Sequence, residues 1–156
     1  MAYAVRAADL TRAADRAALV AVLDGYARDP MGGGQALAPD VAATVADRLA
    51  AVPTARVWLA SAPDGAPAGI AVCFIGFSTF AAEPLLNLHD LAVAPAHRRH
   101  GVGRQLLAAV EEAARALGCC KVTLEVRDDN AAAQRLYRAL GYGDGAAPHR
   151  FLVKPL

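Results

Sequence analysis

The stretch LLNLHDLAVAPAHRRHGVGRQLL, residues 85–107, constrains the fold more than any other part of the chain. Its first nine residues read as a strand, and Pro95 closes it. After Gly103 the apolar residues Leu106, Val110, Ala113 and Leu117 predict one buried face of a helix, which Gly118 terminates. The junction carries Arg98, Arg99, His100, Gly101, Val102, Gly103 and Arg104. The first turn of a helix holds N–H groups without internal acceptors, and the helix dipole concentrates partial positive charge there. Glycine lets the backbone approach a ligand closely, and the arginines add full charge, so the junction has the makings of an anion seat suited to phosphate. A glycine-eased turn with solvated arginines accounts for the same residues equally well. The dinucleotide fingerprint is excluded, because Leu106 stands where its third glycine belongs, and the Walker pattern fails for want of a lysine and a hydroxyl after the second glycine.

Around this junction the chain reads as alternating short elements. YAVRAA is a strand. Asp9 or Thr11 is expected to cap a helix with Leu19, Val22, Leu23 and Tyr26 on its buried face. Pro30 and Gly32–Gly34 make residues 29–37 the expected flexible stretch, either a substrate lid or slack. Asp40 is expected to cap a second helix with Val41, Val45, Leu49 and Val52 along one face, ended by Pro53. ARVWLAS, a PDG turn at 63–65 and an apolar run from Gly69 to Phe80 predict a hairpin, with Trp58 in the core. KVTLEVR alternates as a strand, DDNAAAQRLYRALG predicts a short capped helix, and HRFLVKP, with His149 and Arg150 at the surface, a last strand. The expected order is β-α-α-β-β-β-α-β-α-β: a single α/β (α+β mixed-sheet) domain over residues 1–156, without linker or repeat.

Composition removes several function classes. A net charge of +1 gives no broad basic field, so no nucleic-acid partner is expected. No apolar run approaches the roughly 20 residues of a membrane span, and the N-terminus lacks a signal peptide's apolar centre, so a soluble, cytoplasmic protein without a membrane partner is expected. Cys73, Cys119 and Cys120 match neither a zinc nor a disulfide pattern and read as buried, reduced thiols. No cluster has metal-ligand spacing.

LHDLAVAPAHRRHGVGRQLL resembles the coenzyme-binding segment of the GNAT acetyltransferase superfamily, whose hallmark is Arg or Gln-x-x-Gly-x-Gly or Ala directly after a strand. A second segment, LEVRDDNAAAQRLYRALGY, is similar to the family's strand, asparagine, Leu-Tyr helix and Gly-aromatic ending. The order of elements is also similar across nearly the whole chain. The resemblance implies a GNAT-like fold and acetyl-CoA as cosubstrate, leaving as coenzyme A. It implies that main-chain groups of Leu91, Ala92 and Val93 pair with the pantetheine arm, and that amides of Arg99, His100, Gly101, Val102, Gly103 and Arg104 hold the pyrophosphate. Arg98 matches the motif's Arg or Gln position. Asn130 would sit by the pantetheine and Tyr137 beside the thioester sulfur; Asn130, like Asp128 and Asp129, is equally an ordinary helix cap.

Acetyl transfer to an amine needs a neutral amine, a place for developing oxyanion charge and a proton for the leaving thiolate. Tyr137 suits the last role, since a phenol of reference pKa about 10 can donate to a thiolate whose thiol lies near about 8.5. Strand alternation puts Asn87 and His89 on one face, toward substrate, and Asp90 on the other unless a bulge intervenes. His89 matches the family's base position, with Asp90 as second choice or as its hydrogen-bond partner, and ordered water as a route without a dedicated base. Residues 77–80 and 87–89 line the acceptor pocket or belong to a two-strand core. The acceptor is a small-molecule or protein amine, and relatives are often homodimers. The rival reading is a non-catalytic acyl-CoA-binding sensor or docking module of the same fold.

Overall fold

Val57, Trp58 and Leu59 of ARVWLAS and the apolar residues of the long run that follows it suit a pleated, buried surface, and both stretches form strands. The computed structural model, which describes residues 3–145 and 150–156, contains β1 (Ala4–Ala7), α1 (Ala13–Arg28), α2 (Pro39–Ala50), β2 (Ala55–Ser61), β3 (Pro67–Ser78) and β4 (Glu83–Val93). A 3-10 turn (Pro95–His97), α3 (Val102–Ala116), β5 (Val122–Leu124) and α4 (Ala131–Ala139) follow. The five strands lie in sequence order in one mixed sheet: β1 to β4 are successively antiparallel, and β5 runs parallel to β4 after the α3 crossover. The chain divides into two compact units, residues 1–124 and 125–156, with the whole sheet in the first and α4 in the second.

One face of the sheet carries Val57, Leu59, Ile70, Val72 and Ala92, buried with Leu19 and Val22 of α1 and Ala46 of α2. The alternate positions point the other way, where α3 packs on β2, β3 and β4 with Val102, Leu106, Leu107 and Val110 buried. Each such aliphatic side chain removed from water contributes about 1.5–3 kcal/mol, which fixes α3 against the strand that precedes it.

Several expectations need correction. Neither Asp9 nor Thr11 caps α1: Arg12 is the N-cap residue without a side-chain bond, and Asp9 instead accepts the Thr11 amide and hydroxyl. The N-cap of α2 is Ala38, followed by Pro39; Asp40 lies in the first turn, and Val41 and Val52 are exposed. In α3 Ala114 rather than Ala113 is fully buried, and Leu117 is exposed beyond the helix end. β5 stops at Leu124 instead of reaching residue 127. Residues 150–156 form no strand and are exposed, whereas His149 lies outside the described residues. Cys73 is buried, and burial pushes its thiol up to about 12, but Cys119 is only half-buried and Cys120 is exposed. Trp58 is buried as expected. No helix among the described residues is long and apolar enough to cross a membrane.

A buried charge joins β1 to α1. Asp15 is 2% exposed, yet both carboxylate oxygens are bonded: Arg6 donates to them from two nitrogens at 2.6 and 2.7 Å, and the Asp9 amide donates at 2.8 Å. These bonds, led by Arg6, outweigh burial and hold the Asp15 carboxyl well below the usual carboxylate range. A depressed folded-state pKa contributes stability above the unfolded value near 4, and that contribution is lost as pH falls below about 4. Asp15→Asn should cost about 1–3 kcal/mol at neutral pH, discounted because Arg6 is half-exposed, and should flatten the acid limb of stability. Urea unfolding at about pH 7 and about pH 3 tests this; equal pH dependence in both proteins would contradict it.

Candidate functional site

β4 is paired along its whole length with β3, but with β5 only from Leu86 to Leu88. From residue 89 to 93 its second edge therefore lies open, with no strand partner among the described residues. The Ala94 amide donates to the Ala68 carbonyl at 2.9 Å, and the Ala92 carbonyl lies against Gly69, so both face β3. Strand alternation then turns the main-chain groups of Leu91 and Val93, not those of Ala92, toward the open edge.

A bulge decides which side chains meet at this strand. Cys73 stands opposite Leu88 and Val72 opposite Asp90, leaving His89 as the extra residue. Asn87 is opposite Phe74, and Phe74 and Val72 share a face, so the bulge brings Asp90 onto the same face as Asn87. The His89 ring packs edge-on against Phe74, centroids 5.6 Å apart, and is otherwise exposed. The expected separation of His89 from Asp90 is thus cancelled. Burial pushes the Asp90 carboxyl above the usual carboxylate range, and the neighbouring His89 works in the opposite direction. Asn87 is not free to serve a ligand with all its polar atoms: its Nδ2 donates to Thr123 Oγ1 at 3.1 Å.

The junction after β4 has an unusual hydrogen-bond inventory. The Arg98 amide donates to Pro95 O at 3.3 Å, and the Gln105 amide to Gly101 O at 3.1 Å. Between them, none of the six amides from Arg99 to Arg104 donates to a protein acceptor among the described residues. Arg99 and Gly101 are both left-handed, at φ +66° and +83°, with Gly101 as the N-cap of α3. A residue with a β-carbon at positive φ is uncommon and costs on the order of 1 kcal/mol, a form of strain that gathers at ligand clamps. Val102 anchors the first helical turn by burial, while Arg99, His100 and Arg104 are exposed. Arg98 differs from the expectation of a free charge: its Nη2 donates to Asp29 Oδ2 at 2.8 Å and its Nε to Val93 O at 3.1 Å. Asp29 is a site residue that the sequence did not reveal, since its partner lies 69 residues away.

The second unit holds the other two expected residues. Asn130 is the N-cap of α4, its Oδ1 accepting the Ala133 amide at 3.1 Å. Asp129 is paired with Arg127 at 2.7 and 2.9 Å. Tyr137 is buried on α4, with its ring 5.9 Å from that of Tyr142. Phe77 and Phe80 of the expected pocket lining are exposed toward the β3–β4 turn.

Comparison with known proteins gives this geometry its context. The chain is 36% identical over 87 residues to streptothricin acetyltransferase of Streptomyces lavendulae, covering 56% of this chain and 44% of that protein. It is 35% identical over 76 residues to thialysine N-epsilon-acetyltransferase of Bos taurus, covering 49% and 44%. The matched stretch thus spans less than half the length of these relatives. Among solved structures, an aminoglycoside N-acetyltransferase in complex with CoA superposes with a TM-score of 0.75 at 20% identity, over 99% of this chain and 95% of that one. That likeness establishes the fold. Residues 18–142 match the sequence profile of the acetyltransferase (GNAT) family, and with four-fifths of its length inside that match the chain belongs to it.

Proposed function

We propose that this chain is an acetyl-CoA-dependent N-acetyltransferase that passes the acetyl group to a primary amine by direct attack in a ternary complex. The observation that carries the reading is the run of six acceptor-free amides from Arg99 to Arg104, directly after a strand with an open edge. Such a run is a ready seat for a diphosphate, with the α3 dipole and the exposed Arg99 and Arg104 adding to it. The main-chain groups of Leu91 and the amide of Val93, whose carbonyl accepts Arg98 Nε, suit an extended amide-bearing arm laid along the edge as an added strand. When bound, acetyl-CoA supplies the activated acyl carbon and the thiol leaving group.

His89, bulged and exposed, takes the amine proton, and imidazole is suited to base work near neutrality. A second reading makes Asp90 the base, favoured by the bulge that brings it to the Asn87 face and by a carboxyl whose proton affinity burial raises toward the working range. Tyr137 donates the proton to the leaving thiolate, a role supported by its place in the family pattern. The acceptor is a small-molecule amine, in line with the names of two relatives, or a protein amine. The family match crosses the division at residue 124, which supports reading residues 1–156 as one functional domain. Release of free thiol from acetyl-CoA across a panel of amines tests turnover; affinity without release would favour the non-catalytic binding module.

His89→Ala should lower kcat on the order of 100-fold while changing the acetyl-CoA KM by less than about threefold. An unchanged rate across about pH 6 to 9 in the variant would remove His89 from the mechanism and leave Asp90 or ordered water to carry the proton.

Gly101→Val places a branched side chain at φ +83° and bars the close approach of an anion to the loop. Coenzyme A affinity should fall roughly tenfold or more by calorimetry. Unaltered affinity in a folded variant would contradict the anion seat.

A further inference from the structure

The glycine-rich segment after α1 is a tied turn rather than slack chain. Asp29, the residue following α1, accepts the amides of Gly32, Gly33 and Gly34 on its carbonyl at 2.8, 3.1 and 3.0 Å. Its Oδ1 accepts the Met31 amide at 2.9 Å. The turn folds back so closely on α1 that a β-carbon at Gly32 would collide with the Tyr26 carbonyl. Every polar group of the Asp29 side chain is then committed, because Oδ2 accepts from Arg98. The Asp29 side chain is 18% exposed and that of Arg98 44%, so the carboxylate end of the pair is sheltered while the guanidinium is half in solvent.

Arg98 is held at three places: by Asp29, by the Val93 carbonyl at the end of the open strand edge, and by Pro95 through its own amide. The six free amides begin at the very next residue. The geometry points to Asp29 as a positioning residue for the coenzyme site, which holds Arg98, and through it the Arg99–Arg104 loop, in the shape that accepts a diphosphate. This rests on the coenzyme reading above and extends it to a residue outside the loop. A loop already fixed loses less conformational freedom when its ligand arrives, so the bridge should strengthen binding without touching the ligand.

Electrostatics and positioning predict opposite signs, which makes the inference testable. Asp29 neutralises Arg98, so removing its charge would strengthen attraction for a diphosphate if long-range charge were its whole effect. Loss of positioning weakens binding instead. Coenzyme A affinity is measured by calorimetry on the wild type, D29N, D29E, R98A and the D29N/R98A double variant, with circular dichroism confirming that each is folded. The expected result is a Kd raised about tenfold in D29N and in R98A, with the double variant within about twofold of the weaker single one, because both act through one contact. D29E should recover part of the loss. In D29N and D29E, kcat at saturating acetyl-CoA should stay within about twofold of wild type, placing the effect in coenzyme KM. Tighter or equal binding by D29N, or additive losses in the double variant, would overturn the inference while leaving the coenzyme reading intact. Absence of coenzyme binding by the wild type would overturn both.

Discussion

Main-chain N–H groups are obligatory donors, and a run of them longer than the first turn of a helix without protein acceptors is uncommon. The Arg99–Arg104 loop is such a run, and the surrounding structure keeps it that way. The buried side chains of Val102, Leu106, Leu107 and Val110 fix the first turns of α3 against the sheet, so the loop cannot wind into another helical turn and consume its own donors. Left-handed backbone at Arg99 and Gly101 interrupts the helical path ahead of α3. The hydrophobic core thus sets the electrostatics of a surface loop: burial on one side of α3 preserves unmet hydrogen-bonding capacity at its mouth.

The sheet contributes a second consequence of the same economy. β5 is so short that it leaves half of β4 with an open edge, and the bulge at His89 reorients the side chains just where pairing with β5 ends. Histidine, aspartate and asparagine are thereby gathered near one face, and the carboxylate among them is partly withdrawn from water. A bulge disrupts the ladder locally, and here the disruption coincides with the start of the edge on which the proposed chemistry depends. Asp29 and Arg98 extend the arrangement toward α1, joining a turn, a strand end and the anion loop through a single guanidinium.

Local signals carried most of the fold. The strand–proline–glycine–helix junction, the PDG turn between two apolar runs and the apolar spacing of α3 each name an element, because the interactions responsible lie within a few residues. The family pattern then singled out the junction after β4 and Asn130 as candidates. The errors have physical causes. The expected caps at Asp9 and Asp40 failed for local reasons: Thr11 took the Asp9 carboxylate, and Pro39 starts α2 one residue before Asp40. Alternation through KVTLEVR overran the real strand, since register with Leu86–Leu88 and not side-chain pattern limits β5. The bulge at His89 leaves no sequence mark, as it arises from a mismatch in register between two strands. Asp29 was read as part of a loose loop because three glycines look alike whether they confer slack or fit a tight turn; the carbonyl and carboxylate that tie them are visible only in three dimensions.

The anion seat is tested most directly by following the amide resonances of Arg99 to Arg104 while coenzyme A is titrated into the labelled protein. The expected result is that these six amides shift most and exchange more slowly with solvent, together with the amides of Leu91 and Val93. Perturbations that bypass residues 99–104, or a spectrum indifferent to the coenzyme, would contradict the assignment of this loop as the place where the diphosphate is held.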